Sequence, residues 1–245
     1  MIAQFALRML LGMGLSWAVL PRRQITSGFF RIQSLLALGL SVLAAVTIGD
    51  AAPEVTNGST TANNAAATDS AFLASIGCGA LAAVAFLGSV LWTLERRKSG
   101  TLILFLLLAG AGALSAWRCL LPSDQTSLAR AHRLLSEIGA GGVLGSCVTA
   151  MLLGHWYLAA PTMSIAPLGR ANAWFGATVL FRGVMAAWGL VRVSGQSLNA
   201  THTLWLALQW SAGIALPLIL CLMVERILRY RNTQSATGVL FAAVI

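Results

Sequence analysis

Apolar residues gather along this chain into seven long stretches, Ile2–Leu20, Phe29–Ile48, Ser70–Leu94, Thr101–Leu121, Leu134–Leu158, Ala171–Val193 and Thr203–Val224, separated by polar connectors. Each is long enough to cross a hydrocarbon core of roughly 30 Å at about 1.5 Å per residue. Lipid offers no partner to backbone N–H and C=O groups, so segments of this length must bond internally as helices. The pattern predicts an all-α integral membrane protein, a bundle of about seven transmembrane helices forming a single polytopic domain over residues 1–245.

Positive charges between the stretches fall mostly on alternate sides. Arg22, Arg23 and Arg31 follow the first stretch, Arg96, Arg97 and Lys98 the third, Arg170 the fifth, and Arg226, Arg229 and Arg231 the last. The opposite side holds Arg118, Arg130, Arg133 and Arg192. Ten against four matches the positive-inside rule, with the N-terminus outside and the C-terminus cytoplasmic. The first stretch resembles a secretory signal in position, but its basic cluster follows the apolar run and no A-x-A-like site precedes Pro21, so it is expected to remain as the first helix. The expected location is the bacterial inner (plasma) membrane.

Composition narrows the function classes. Residues are 58% hydrophobic and 9% charged, against about 25% charged in a soluble domain, which excludes a sizeable water-soluble domain. The net charge of +9 does not point to nucleic acid, because no basic extramembrane surface is available for a phosphate backbone. The basic residues flank spans, where they orient the chain and meet anionic headgroups, so the lipid bilayer is the first expected partner. Cys78, Cys119, Cys147 and Cys221 lie within spans without metal-ligand spacing and read as small packing residues. The connector Gly49–Asp69 is small, polar and free of aromatics, and is expected to be a flexible external loop. Asn57 and Asn199 each begin an N-x-S/T pattern on the expected outer face.

Candidate chemistry is sparse. Arg182 lies near the middle of the sixth span on a face shared with Thr178, Ala186 and Gly189, opposite Leu180, Val184 and Val191. An arginine so placed faces the bundle interior and has a partner: an anionic ligand, a cofactor carboxylate, or structural carbonyls. No acidic residue is expected at its depth, since Glu137 lies toward the outer surface and Glu225 toward the inner. In the fifth span, Glu137 and His155 share a helical face that also carries Gly141 and Gly145, a G-x-x-x-G spacing that admits another helix or a flat cofactor against the backbone. Glu225 is a possible partner of His155. In the seventh span, His202, Trp205, Gln209 and Gly213 recur at helical spacing, and with His132 and Glu137 they could line an outward polar cleft, below which Pro217 permits a kink. The ligand-binding candidates are thus Arg182, Glu137 and Gln209. The cofactor candidates are His155, His132 and His202, and a bis-His haem within one leaflet would need His132 and His202.

The only lysine, Lys98, lies in a connector, which excludes a retinal Schiff base in the last helix. Three functions fit the sequence. The first is a non-catalytic subunit or scaffold of a membrane complex, with protein partner subunits or further copies of itself, favoured by short connectors and the lack of a strong catalytic cluster. The second is a transporter of a small anionic solute, and the third a haem- or quinone-binding electron-transfer subunit.

Reporter fusions test the topology. Fusions at Thr60 should report outside, and those at Lys98 and Tyr230 inside; the same side for Thr60 and Lys98 would overturn the charge-based orientation.

Overall fold

The computed structural model describes residues 1–49, 61–120, 126–160, 163–193 and 200–244. These form helices α1 (Ile2–Val19), α2 (Ser27–Gly49), α3 (Thr61–Thr93), α4 (Arg97–Leu120), α5 (Ser127–Ala159), α6 (Ala166–Val193), α7 (Ala200–Trp210), α8 (Leu216–Arg229) and α9 (Thr233–Val244), with a π segment, Ser211–Ala215, joining α7 to α8. Among the described residues seven helical spans are long and apolar enough to cross a membrane, α7, the π segment and α8 acting as one. The end carrying the α1–α2, α3–α4 and α5–α6 turns is called inner below, following the charge-based orientation, and the opposite end outer.

Helices α1 and α5 run parallel at the centre. The α2, α3 and α4 helices pack on one side of this pair, and α6, α8 and α9 on the other. Most of α1 is buried, including Ala3, Ala6, Leu10, Met13 and Trp17, as expected of a central helix with neighbours on several sides. Its contact with α5 is made by backbone. Gly12 stands directly on the carbonyl of Gly141, and Gly145 backs onto the Gly12–Met13 peptide. The G-x-x-x-G face of α5 therefore meets a helix. Lower down, Ser16 of α1 and Thr149 of α5 continue the line of small, buried residues. Gly14 meets Leu108 of α4, and on the far side of α5 Gly142 meets Thr178 of α6.

Several helices outrun their apolar stretches. Residues from Thr61 onward belong to α3, so the outer connector is helical at its C-terminal end where a loop is expected. The alanines among residues 61–68 are strong helix formers, and a span already nucleated extends through them at little cost. Residues 50–60 lie outside the described residues, and so do Asn57 and Asn199. The α5 helix likewise starts at Ser127, capped by Thr126, whose side chain accepts from the Ala129 N–H at 3.4 Å.

The seventh span is interrupted as Pro217 leads one to expect. Proline has no N–H to offer the carbonyl four residues back, and the chain absorbs the defect as the π segment just before it. Beyond α8, where only a tail is expected, Arg231 adopts a left-handed conformation (φ 55°) and reverses the chain. The following α9 runs back between α5 and α8, with Ala236, Thr237 and Leu240 buried. Gly154 makes room for this, since a Cβ there would lie 2.8 Å from the Thr237 hydroxyl.

Substitution of the seam glycines is the sharpest test of this packing. Gly12→Ala and Gly145→Ala should each destabilise the solubilised protein by at least about 1–3 kcal/mol, the usual cost of overpacking, whereas Gly39→Ala and Gly79→Ala, which face open space, should be neutral or slightly stabilising. Thermal unfolding of the four variants provides the comparison, and equal, negligible shifts would refute the backbone contact.

Candidate functional site

The polar groups of the outer half converge where α1, α4, α5 and α6 meet. Glu137 lies ten residues into α5, roughly 15 Å along the helix axis. Its carboxylate accepts from Arg8 Nε to Oε2 and Arg8 Nη2 to Oε1, both at 2.5 Å, and from Gln4 Nε2 to Oε1 at 3.0 Å. The paired fork of a guanidinium on a carboxylate is among the strongest hydrogen-bonding arrangements available to side chains. The side chains keep 34% (Arg8) and 15% (Glu137) of their exposure, so the pair is shielded but not sealed. Gln4, Arg8, Gly12 and Ser16 recur every four residues, which places them on one face of α1 looking at α5.

Beside the pair opens a cavity of about 120 Å³ lined by Gln4, Arg8, Ser115, Arg118, Cys119, Arg133 and Glu137. Its volume suits a small anion or a few waters, at about 30 Å³ per water. Three guanidiniums face one carboxylate, and that carboxylate is engaged by Arg8. The cavity is therefore positive, and the low dielectric of its surroundings strengthens the field.

Arg182 lies beside this cluster. Its Nη1 donates to Ser136 Oγ at 2.7 Å and to the Ser136 carbonyl at 3.4 Å. The sequence leads one to expect no acidic residue at this depth, but Ser136 precedes Glu137, so Arg182 and Glu137 share a level. Because α5 begins seven residues before its apolar stretch, Glu137 lies well inside the helix and not at its end. The face assignment of Arg182 holds: Thr178 is buried, whereas Leu180, Val184 and Val191 are exposed. Below it Ser146 and Thr178 hydroxyls bond across α5 and α6 at 2.9 Å.

The histidines go to separate places. His132 Nε2 lies 3.2 Å from the Met185 carbonyl, and its ring meets Trp188 edge-on at 5.1 Å. His202 is exposed on α7, which has no buried residue, and His155 is exposed near the inner end of α5. The pairing of His132 with His202 that a bis-His haem needs is not formed, since His132 faces α6 and His202 lies on the exposed α7. Gln209 is also exposed on α7 and does not join Glu137 in the outer cavity. Glu225 binds Arg229 at 2.9 Å, one turn away, instead of His155. The neighbours of His155 are structural: the Trp156 indole N–H donates to Thr26 Oγ1 at 2.7 Å, and the Tyr157 hydroxyl to the Ser164 carbonyl.

Arg8 and Gln4 are the site residues that the sequence did not single out. The available signal was an arginine within the first span, in four-residue register with Gly12 and Ser16, together with a lone carboxylate in another span. No family model, curated protein or solved structure matches this chain. Its class follows from the fold alone: a multi-pass helical membrane protein.

The clasp can be measured by a double-mutant cycle. Arg8→Leu and Glu137→Leu should each cost about 2 kcal/mol by leaving one buried charge without its partner, and the double variant should cost less than the two summed, with a coupling of about 1–3 kcal/mol. Arg182→Leu, which breaks bonds to a neutral serine, should cost less than either. Additive losses in thermal or denaturant unfolding would show that the pair contributes no coupling.

Proposed function

We propose that this chain is a non-catalytic subunit of a membrane complex, joined to a partner's transmembrane helix through the outer half of its seventh span. The observation supporting this reading is α7 itself, which buries none of its residues and exposes His202, Trp205 and Gln209. Gln209 lies nine residues into the span, roughly 14 Å along it. A side-chain amide at that depth is costly against hydrocarbon and favourable against a polar group on a neighbouring helix. The charged groups inside the bundle fit a structural role, since Glu137 is held by Arg8 and Gln4, and Arg182 by Ser136.

A second reading, handling of a small anionic solute, is favoured by the positive outer cavity. It requires Arg118 and Arg133, which have no role in the assembly reading.

Photo-crosslinking in native membranes separates the two. A crosslinker at Gln209 should give a discrete protein adduct, while one at Val184, on the lipid-facing side of α6, should give none. An adduct at twice the 25.7 kDa of the chain would identify the partner as a second copy. Lack of an adduct at Gln209, with a native particle containing a single chain, would overturn the subunit reading.

A further inference from the structure

At the inner end, the α1–α2 turn and the first turn of α4 border an open cavity of about 720 Å³. Four basic residues line it: Arg22 and Arg23 from the α1–α2 turn, Arg97 and Lys98 from the start of α4. No carboxylate lines it, so the cavity carries four positive charges without internal compensation. Arg22 is fixed in place. Its Nε donates to the Trp17 carbonyl at 3.1 Å, and its guanidinium lies 4.6 Å above the centre of the Phe105 ring. Arg23, Arg97 and Lys98 are exposed and make no ion pair among the described residues.

The wall of the cavity is built. Trp92, 2% exposed, lines it and stacks on Phe30 at 4.7 Å. The absence of a side chain at Gly100 lets the indole lie against α4, since a Cβ there would be 2.7 Å from the ring. The Trp92 indole N–H is buried without an acceptor. That nitrogen lies against Gly100, 2.9 Å from where a Cβ would stand, so the indole serves the cavity as a rigid wall and the charge of the cavity is what calls for an oxygen-rich anion. Leu20, itself buried, and Pro21 add an apolar border beside the charges.

We propose that this cavity binds the phosphate headgroup of an anionic phospholipid, with Arg23, Arg97 and Lys98 around the phosphate and its acyl chains lying along the apolar border. A mobile phosphate and a lipid phosphate share the recognition chemistry. The apolar border favours the lipid, because a free ion gains nothing from it. The site lies at the opposite end of the bundle from the arginine cavity beside Glu137 and does not depend on the subunit reading.

Native mass spectrometry of the full chain, released from nanodiscs of phosphatidylcholine containing phosphatidylglycerol, tests this. The wild type should retain phosphatidylglycerol in preference to phosphatidylcholine. A basic residue near an anionic headgroup contributes about fivefold in affinity, so Arg23→Gln/Arg97→Gln/Lys98→Gln should bind on the order of 100-fold more weakly. Arg226→Gln/Arg229→Gln, at the inner end of α8, should leave it unchanged. Wild-type retention by the triple variant, or an equal loss in the α8 control, would overturn the proposal. So would displacement of the lipid by millimolar inorganic phosphate at constant ionic strength, which would assign the cavity to the free ion.

Discussion

The contact between α1 and α5 sets the register on which the remaining helices depend. Lipid tails are as apolar as leucine, so burial of apolar surface does not draw two membrane helices together; close packing and polar bonds must do so. Glycine at Gly12, Gly141 and Gly145 allows the two backbones to touch, which brings many atoms to van der Waals distance at once. The Arg8–Glu137 clasp lies one turn outward of that contact. The two features reinforce each other. A shift of one residue would turn α1 by about 100°, carrying Gly12 off Gly141 and the guanidinium off its carboxylate.

Around this seam the bundle divides its polar groups by depth. Inward of the Arg182 level the bonds between α5, α6 and α8 are neutral: Ser146 bonds Thr178, and Asn172 donates to the Cys221 carbonyl. Charge collects at the two ends. The outer end has one carboxylate among several arginines, and the inner end has the four cations of the α1–α2 turn and the start of α4. Both arrangements leave positive potential beside the membrane, but the outer one is half committed to holding helices together whereas the inner one is not.

The seventh span departs most from a simple bundle. Proline removes one backbone bond, the chain answers with a π segment, and the helix outward of it separates from the core. Inward of it, α8 packs on α6 and is backed by α9, so one half of the span is bound to its own protein and the other is available to something else.

The number of spans, their helical state and the membrane class were legible in the sequence because the cost of an unbonded backbone in hydrocarbon leaves only one solution for a long apolar stretch. The packing role of Gly141 and Gly145 was legible as spacing, though not whether it would meet α1 or a flat cofactor. The inward face of Arg182 was legible from helical period alone. What the sequence did not determine was partnership. Arg8 bonds Glu137 across 129 positions, and Arg182 bonds Ser136 across 46. Helical period says which residues share a face, but it carries no information on which helix that face will meet or at what height. Those heights moved when α5 gained two turns beyond its apolar stretch, and the return of α9 into the bundle rests on one left-handed residue, Arg231, followed by a short helix that finds its place only against α5 and α8. Only the tertiary structure decided these points, because each depends on contacts between segments distant along the chain.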